Sequence, residues 1–218
     1  MSALNKSQIQ QVYCRRAKNY NFTANLYYAI GFREFAYRRK AVRALNLREG
    51  NTVVEISCGT GLNFAYLQEA VGPEGRIIGV DLTAAMLEQA QRRVEQHHWK
   101  NIELVHCDAA RYRFPEAFSG IISTFAITLI PEYDEIIKNG ADALKPNGRW
   151  VVLDFKLPSN IFSFLAPLGV AITKPFGVSL DLANHHPWES IERYMHNLIV
   201  EELYGGFAYI AEGSKVTA

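Results

Sequence analysis

Apolar positions in this chain change their period near residue 50. From residue 7 to 47 they recur at helical intervals: Ile9, Val12 and Tyr13, then Leu26, Ala29 and Ile30, then Phe35, Ala36, Val42 and Leu45. That spacing predicts a helical arm. From Gly50 onward, short apolar runs alternate with amphipathic segments. The runs TVVEIS (52–57), RIIGVD (76–81), NIELVHCD (101–108), GIISTFAI (120–127) and GRWVVLDFK (148–156) read as strands. Between them, FAYLQEAV reads as a helix ended by Gly72-Pro73. TAAMLEQAQRRVEQHH reads as a helix with Thr83 at its cap, and the segment from Pro131 as a helix closed by a Pro146-Asn147-Gly148 turn. A short helix near Trp188–Met195 follows. NLIVEEL and FAYIAEGS then form a hairpin across Tyr204-Gly205-Gly206.

Strand runs that are apolar throughout, separated by helices, predict a parallel sheet covered on both faces. The expected fold is therefore α/β: a Rossmann-like, seven-stranded, mostly parallel sheet with helices on both faces. It carries an antiparallel C-terminal hairpin and an N-terminal helical arm. The organisation reads as a single domain over 1–218. Residues 1–48 are the arm, 49–156 the core, 157–190 a lid, and 191–218 the last helix and hairpin.

Composition narrows the classes. About half of the 218 residues are apolar (49%), enough for one core, and the net charge of +1 gives no nucleic-acid footprint. Three scattered cysteines (Cys14, Cys58, Cys107), with no CxxC pair, argue against a disulfide framework and against a metal centre. The polar N-terminus has no secretory h-region, so a cytoplasmic location is expected. The longest apolar stretch, Ile161–Val178, is broken by Pro167, Lys174 and Pro175. It reads as a lid that covers a pocket or touches a membrane surface through Phe162, Phe164, Leu165 and Leu168, not as a membrane span.

Candidate chemistry gathers at the strand ends. In a doubly wound sheet, ligands lie beyond the carboxyl ends, where the strand order reverses. Ser57, Cys58, Gly59, Thr60 and Gly61 follow the first strand, and the glycines allow a ligand close to the main chain. Glu55 is placed for a cationic amino group. Asp81 ends the second strand at the distance where an acid reaches a ribose diol. Asp108, beside Ala109, can accept from an adenine amine. Ser123 and Thr124 can line the pocket floor, and Leu82 and Met86 its second-strand side. A dinucleotide fingerprint is disfavoured: its third glycine would fall on Phe64 or Leu62, and a pyrophosphate sits poorly beside Glu55.

EISCGTG (Glu55–Gly61), Gly79-Val80-Asp81, Cys107-Asp108-Ala109 and Ile130-Pro131 together resemble the class I S-adenosylmethionine-dependent methyltransferases. The resemblance is strong over about 50–155 and looser over 197–213. It implies S-adenosyl-L-methionine as cofactor. Glu55 and the glycine loop would hold the methionine part, Asp81 the ribose and Asp108 the adenine. Ser57 departs from the family, which has glycine there; it fits if its torsions stay ordinary. Within the superfamily, the chain resembles the ubiquinone/menaquinone-biosynthesis-like and phospholipid N-methyltransferase groups, through YCRRAKNY (13–20), Leu62-Asn63-Phe64 and FAYIAEG (207–213).

That placement implies a small or lipidic acceptor. A phospholipid headgroup amine is the first expectation. Carbon methylation of a quinone precursor, or cofactor binding without transfer, are the alternatives. Tyr13, Tyr20, Tyr27 and Tyr28 of the arm, with Tyr204, Phe207 and Tyr209, can form an aromatic surround for a cation. Tyr20 also counts among the cofactor-binding candidates. Arg15, Arg16, Arg38 and Arg39 can meet a phosphate, although Arg38-Arg39-Lys40 equally reads as a solvated face. Tyr20, Tyr27 or His186 are candidates to take a proton from the acceptor. His185, His186, Asp181 and Asn184 share one loop near the acceptor side.

Overall fold

The computed structural model describes Gln8, Gln11, Cys14, residues 31–158 and residues 185–216. In this region a seven-stranded sheet has the order β3-β2-β1-β4-β5-β7-β6. The strands are β1 (Thr52–Ile56), β2 (Arg76–Asp81), β3 (Ile102–His106), β4 (Phe118–Thr124), β5 (Leu144–Phe155), β6 (His196–Leu203) and β7 (Ala208–Ser214). Strands β1 to β5 pair in parallel; β7 is antiparallel to both β5 and β6. The predicted architecture is the observed one.

Helices α1 (Glu34–Ala44), α2 (Phe64–Val71) and α3 (Ala84–Gln96) cover one face; α4 (Tyr133–Ala143) and α5 (Pro187–Tyr194) cover the other. The alternation of side chains along each strand divides the core in two. Val53, Ile77, Ile122, Val151 and Leu153 pack under α1–α3, while Val54, Ile78, Ile121, Trp150 and Val152 pack under α4 and α5. The order reverses between β1 and β4, which are hydrogen-bonded neighbours (Ser123 opposite Ile56), so the crevice opens at their carboxyl ends.

Several boundaries differ from expectation for local reasons. Of the arm predicted over 7–47, the described residues Gln8, Gln11 and Cys14 are helical, and α1 spans Glu34–Ala44 after a turn at Gly31 with φ of 79°. Strand β4 stops at Thr124, not at residue 127, because Phe125 takes φ of 55° and turns its N–H to the Leu153 carbonyl at 2.7 Å. A 3₁₀ turn, Ile127–Leu129, follows. Strand β3 ends at His106, which leaves Asp108 beyond the sheet. Helix α4 ends at Ala143, and Leu144 already pairs with Phe118. The expected Pro-Asn-Gly turn is instead an irregularity inside β5: Asn147 has φ of 62° and donates its N–H to the Lys215 carbonyl. Thr83 caps α3 through its carbonyl, which accepts from Met86 and Leu87, and not through a side-chain cap bond.

Candidate active site

The loop after β1 bends through three left-handed positions in five residues: Ser57 (φ 57°), Gly59 (55°) and Gly61 (73°). The two glycines have different reasons. A Cβ on Gly61 would lie 2.5 Å from the Phe64 ring, so this glycine lets the helix pack. Phe64 fills the place a third fingerprint glycine would need. A Cβ on Gly59 would meet nothing within 4 Å, so the backbone there borders open space. Ser57 does not keep ordinary torsions, contrary to the expectation: it adopts the conformation that glycine would, at a cost of about 1–3 kcal/mol.

Asp81 holds this loop in shape. Its Oδ2 accepts from the Gly59 N–H and its Oδ1 from the Thr83 N–H, both at 2.8 Å. Burial pushes its carboxyl up, against those two bonds. Each oxygen retains a lone pair. Arg93 of α3 donates to the Thr60 carbonyl at 3.0 Å, and Cys58 donates its N–H to Val80. The Cys58 thiol is buried, and burial raises its pKa.

Behind the loop lies a buried polar network. Glu55 is 1% exposed; its Oε1 accepts from Asn63 Nδ2 at 2.7 Å, while its Oε2 is buried without a hydrogen bond among the described residues. Asn63 Nδ2 also reaches Thr124 Oγ1 (2.9 Å). Arg38 Nη1 donates to Thr124 Oγ1 (2.5 Å) and to Asn63 Oδ1 (3.4 Å), and its Nε to Glu34 Oε1 (2.8 Å). Burial raises the Glu55 carboxyl to about 8, against the Asn63 bond and the Arg38 charge.

The structure corrects the solvated-face reading for Arg38, while Arg39 and Lys40 are exposed as that reading has them. Arg38 is 4% exposed and braces the site from α1. Arg39 lies over the Tyr66 ring, and Lys40 pairs with Glu201 at the surface. Sequence reasoning missed Glu34 and Asn63 as site residues, and offered Arg38 to a phosphate where the structure sets it on Thr124 and Asn63. The one local signal was Glu34-Arg38 at i,i+4 spacing, which pairs side chains on one helix face.

Met86 is buried in the first turn of α3, and the Leu82 carbonyl meets His106 Nε2 at 2.9 Å. Asp108 caps the Ala109–Arg111 turn by accepting from the Ala110 N–H at 3.0 Å; Ala109 is buried beside it. Ser123 is fully buried and its hydroxyl has no partner among the described residues. The His186 Nδ1 meets Glu189 Oε1 at 2.9 Å and its ring stacks on Trp188 at 4.6 Å. The proposed aromatic surround divides across the sheet. Tyr204 packs on Phe32 of the α1 side, while Tyr209 is buried against Trp188 on the other. Tyr13, Tyr20, Tyr27, Tyr28, Arg15, Arg16, Asp181, Asn184 and the lid residues Phe162, Phe164, Leu165 and Leu168 lie outside the described residues.

Residues 53–148 match the family described as Methyltransferase domain. Over these residues the chain is similar to a methyltransferase domain. Among curated relatives, the demethylmenaquinone methyltransferase of Geobacillus sp. (strain WCH70) is 28% identical over 146 residues, covering 62% of this chain and 62% of that protein. The chain thus spans about three fifths of the length of that relative. Among solved structures, a SAM dependent methyltransferase from Aquifex aeolicus superposes with a TM-score of 0.64 at 19% identity, covering 82% of this chain and 89% of that one. Phosphoethanolamine N-methyltransferase 2 of Haemonchus contortus, solved with S-adenosyl-L-methionine, gives 0.62 at 16% identity, covering 78% and 50%. At such identities these two structures speak for the fold alone.

The cofactor of this methyltransferase domain is S-adenosylmethionine, and the residues present suit it. An orphaned buried carboxylate oxygen at Glu55 answers an ammonium, Gly59 leaves the backbone open, and Asp81 keeps acceptor capacity beside the loop. Among the described residues no helix is long and apolar enough to cross a membrane, and no His/Cys/Asp/Glu group is disposed to hold a metal.

Proposed function

We propose that this protein methylates a ring carbon of a small or lipidic hydroxylated aromatic acceptor of the quinone-precursor type. The observation that carries this reading is the identity with demethylmenaquinone methyltransferases, 28% over 146 residues and 30% over 133. A headgroup amine, the first expectation from sequence, has only fold likeness to an N-methyltransferase behind it, so the carbon acceptor takes precedence.

When bound, the cofactor supplies a methyl group already activated by its sulfonium charge. The protein's part is then to bind, align and exclude water; alignment of this kind supplies roughly 7–11 kcal/mol. Glu55 receives the cofactor's ammonium on Oε2, Asp81 the ribose hydroxyls and Asp108 the adenine amine. Arg38, Asn63 and Thr124 hold Glu55 in register from three different elements. Such an acceptor carries an apolar tail, which suits contact with a bilayer surface through the 161–178 segment.

The deciding experiment is mass spectrometry of a lipid extract incubated with protein and methyl-labelled cofactor. Label in the isoprenoid quinone fraction is expected. Label confined to phosphatidylethanolamine derivatives would overturn the carbon acceptor and restore the amine.

A further inference from the structure

The rim above β4 and β5 holds a second set of buried polar groups that the cofactor loop does not use. Asp154, near the end of β5, is 3% exposed. Its Oδ2 accepts from the Thr128 N–H at 3.1 Å and its Oδ1 from the Phe155 N–H at 2.8 Å. This carboxyl therefore pins the 3₁₀ turn that follows β4. Thr128 Oγ1 and Tyr209 OH are buried next to it, with the Thr128 hydroxyl within reach of both the carboxyl and the phenol. Ser123 Oγ, likewise buried but without a partner among the described residues, lies on the same sheet face: Ser123 is level with Val152, two residues before Asp154. Of these groups the Ser123 hydroxyl is the one left with hydrogen-bonding capacity beside the β1–β4 crevice.

His185 closes on this turn. Its Nδ1 stands 2.7 Å from the Thr128 carbonyl, and its ring lies 5.3 Å from the Tyr133 ring. A carbonyl oxygen only accepts, so Nδ1 must carry the hydrogen. In the neutral imidazole, Nε2 then holds the lone pair, and no described residue bonds to it. The chain of support runs from Asp154 to the Thr128 backbone to the His185 tautomer. A base held by a third group in this way is the arrangement that activates a substrate hydroxyl. His186, the neighbour that sequence favoured, has its Nδ1 on Glu189 instead.

We propose that His185 is the base that takes the hydroxyl proton of the aromatic acceptor. This rests on the ring-carbon reading above. Nε2 accepts the O–H proton. The electron pair left on oxygen, delocalised to the adjacent ring carbon, forms the new C–C bond to the methyl as the carbon–sulfur pair returns to sulfur. The ring C–H proton then leaves to water, and the imidazolium returns its proton to the ring oxygen. One proton is released overall.

Two measurements test this. In a long-range ¹H–¹⁵N spectrum of histidine-labelled protein, with His185→Gln used for assignment, His185 is expected as the Nδ1–H form with an unprotonated Nε2. An Nε2–H form overturns the proposal whatever the acceptor is. In turnover with chemically reduced 2-farnesyl-1,4-naphthoquinone under anaerobic conditions, His185→Ala is expected to lose about 10²–10⁴-fold in kcat. Its affinity for S-adenosylhomocysteine should stay within about twofold of wild type, and added imidazole should restore part of the rate. A His185→Ala rate within about fivefold of wild type overturns the base while leaving the ring-carbon reading intact. A wild-type protein that binds S-adenosylhomocysteine yet leaves this probe unmethylated overturns that reading, and the phenolic proton with it.

Discussion

Replacing Glu55 with Gln isolates the electrostatics of the cofactor loop. In the cofactor-free protein, burial raises this carboxyl from an ordinary 4.5 to about 8. The folded state therefore keeps a proton that the unfolded chain releases. Stability contributed by that proton is present below pH 4.5 and is lost progressively as pH rises to about 8. At about 1.4 kcal/mol per tenfold change, the interval bounds the loss at roughly 5 kcal/mol. Relaxation and water entry reduce such penalties, so about 2–3 kcal/mol is the working expectation. Gln has the same shape, can still accept from Asn63, and never ionises. Urea unfolding of both proteins at pH 5, 6, 7 and 8 reads the difference directly, because titration of Asp81 and Asp154 is common to both. The two should agree within about 1 kcal/mol at pH 5, with Glu55→Gln more stable by about 2–3 kcal/mol at pH 8. The variant should also bind S-adenosylmethionine more weakly, having lost the anion that meets the ammonium. A stability difference that stays constant from pH 5 to 8 would refute the reasoning.

Other perturbations probe the neighbouring parts. Ser57→Gly relieves a left-handed serine and should raise stability by about 0.5–1 kcal/mol, read from the urea midpoint; a loss of more than about 1 kcal/mol would mean that the hydroxyl is structural. Arg38→Met leaves Glu34 buried without its partner and should cost about 3–5 kcal/mol, with part recovered when Glu34→Met is added. Asp81→Ala should weaken S-adenosylmethionine by about 1.5–3 kcal/mol in calorimetric titration, and unchanged affinity would remove Asp81 from the site. Burial raises Asp154 from 3.8 to about 6, so wild type should lose stability across that interval as pH rises, and Asp154→Asn should flatten the profile there.

The sequence by itself determined the sheet and the loop that begins the site. Apolar runs of strand length, alternating with amphipathic helices, admit few arrangements but a parallel sheet covered on both faces. Gly59, Gly61, Glu55 and Asp81 are separated by short, regular elements, so local spacing alone places them near one another. Only the tertiary structure decided what surrounds them. Arg38 reads as part of a charged surface run, yet helix packing sets its guanidinium against Thr124 and Asn63. His185 and Thr128 are likewise far apart in sequence, and the 2.7 Å contact that fixes the imidazole tautomer follows from how α5 and the turn after β4 meet. Left-handed Phe125 and Ser57 show the same limit: no local preference selects that conformation, and the surrounding hydrogen bonds and packing impose it. Contacts that close over long chain separations depend on the geometry of whole elements, and no local pattern carries that information.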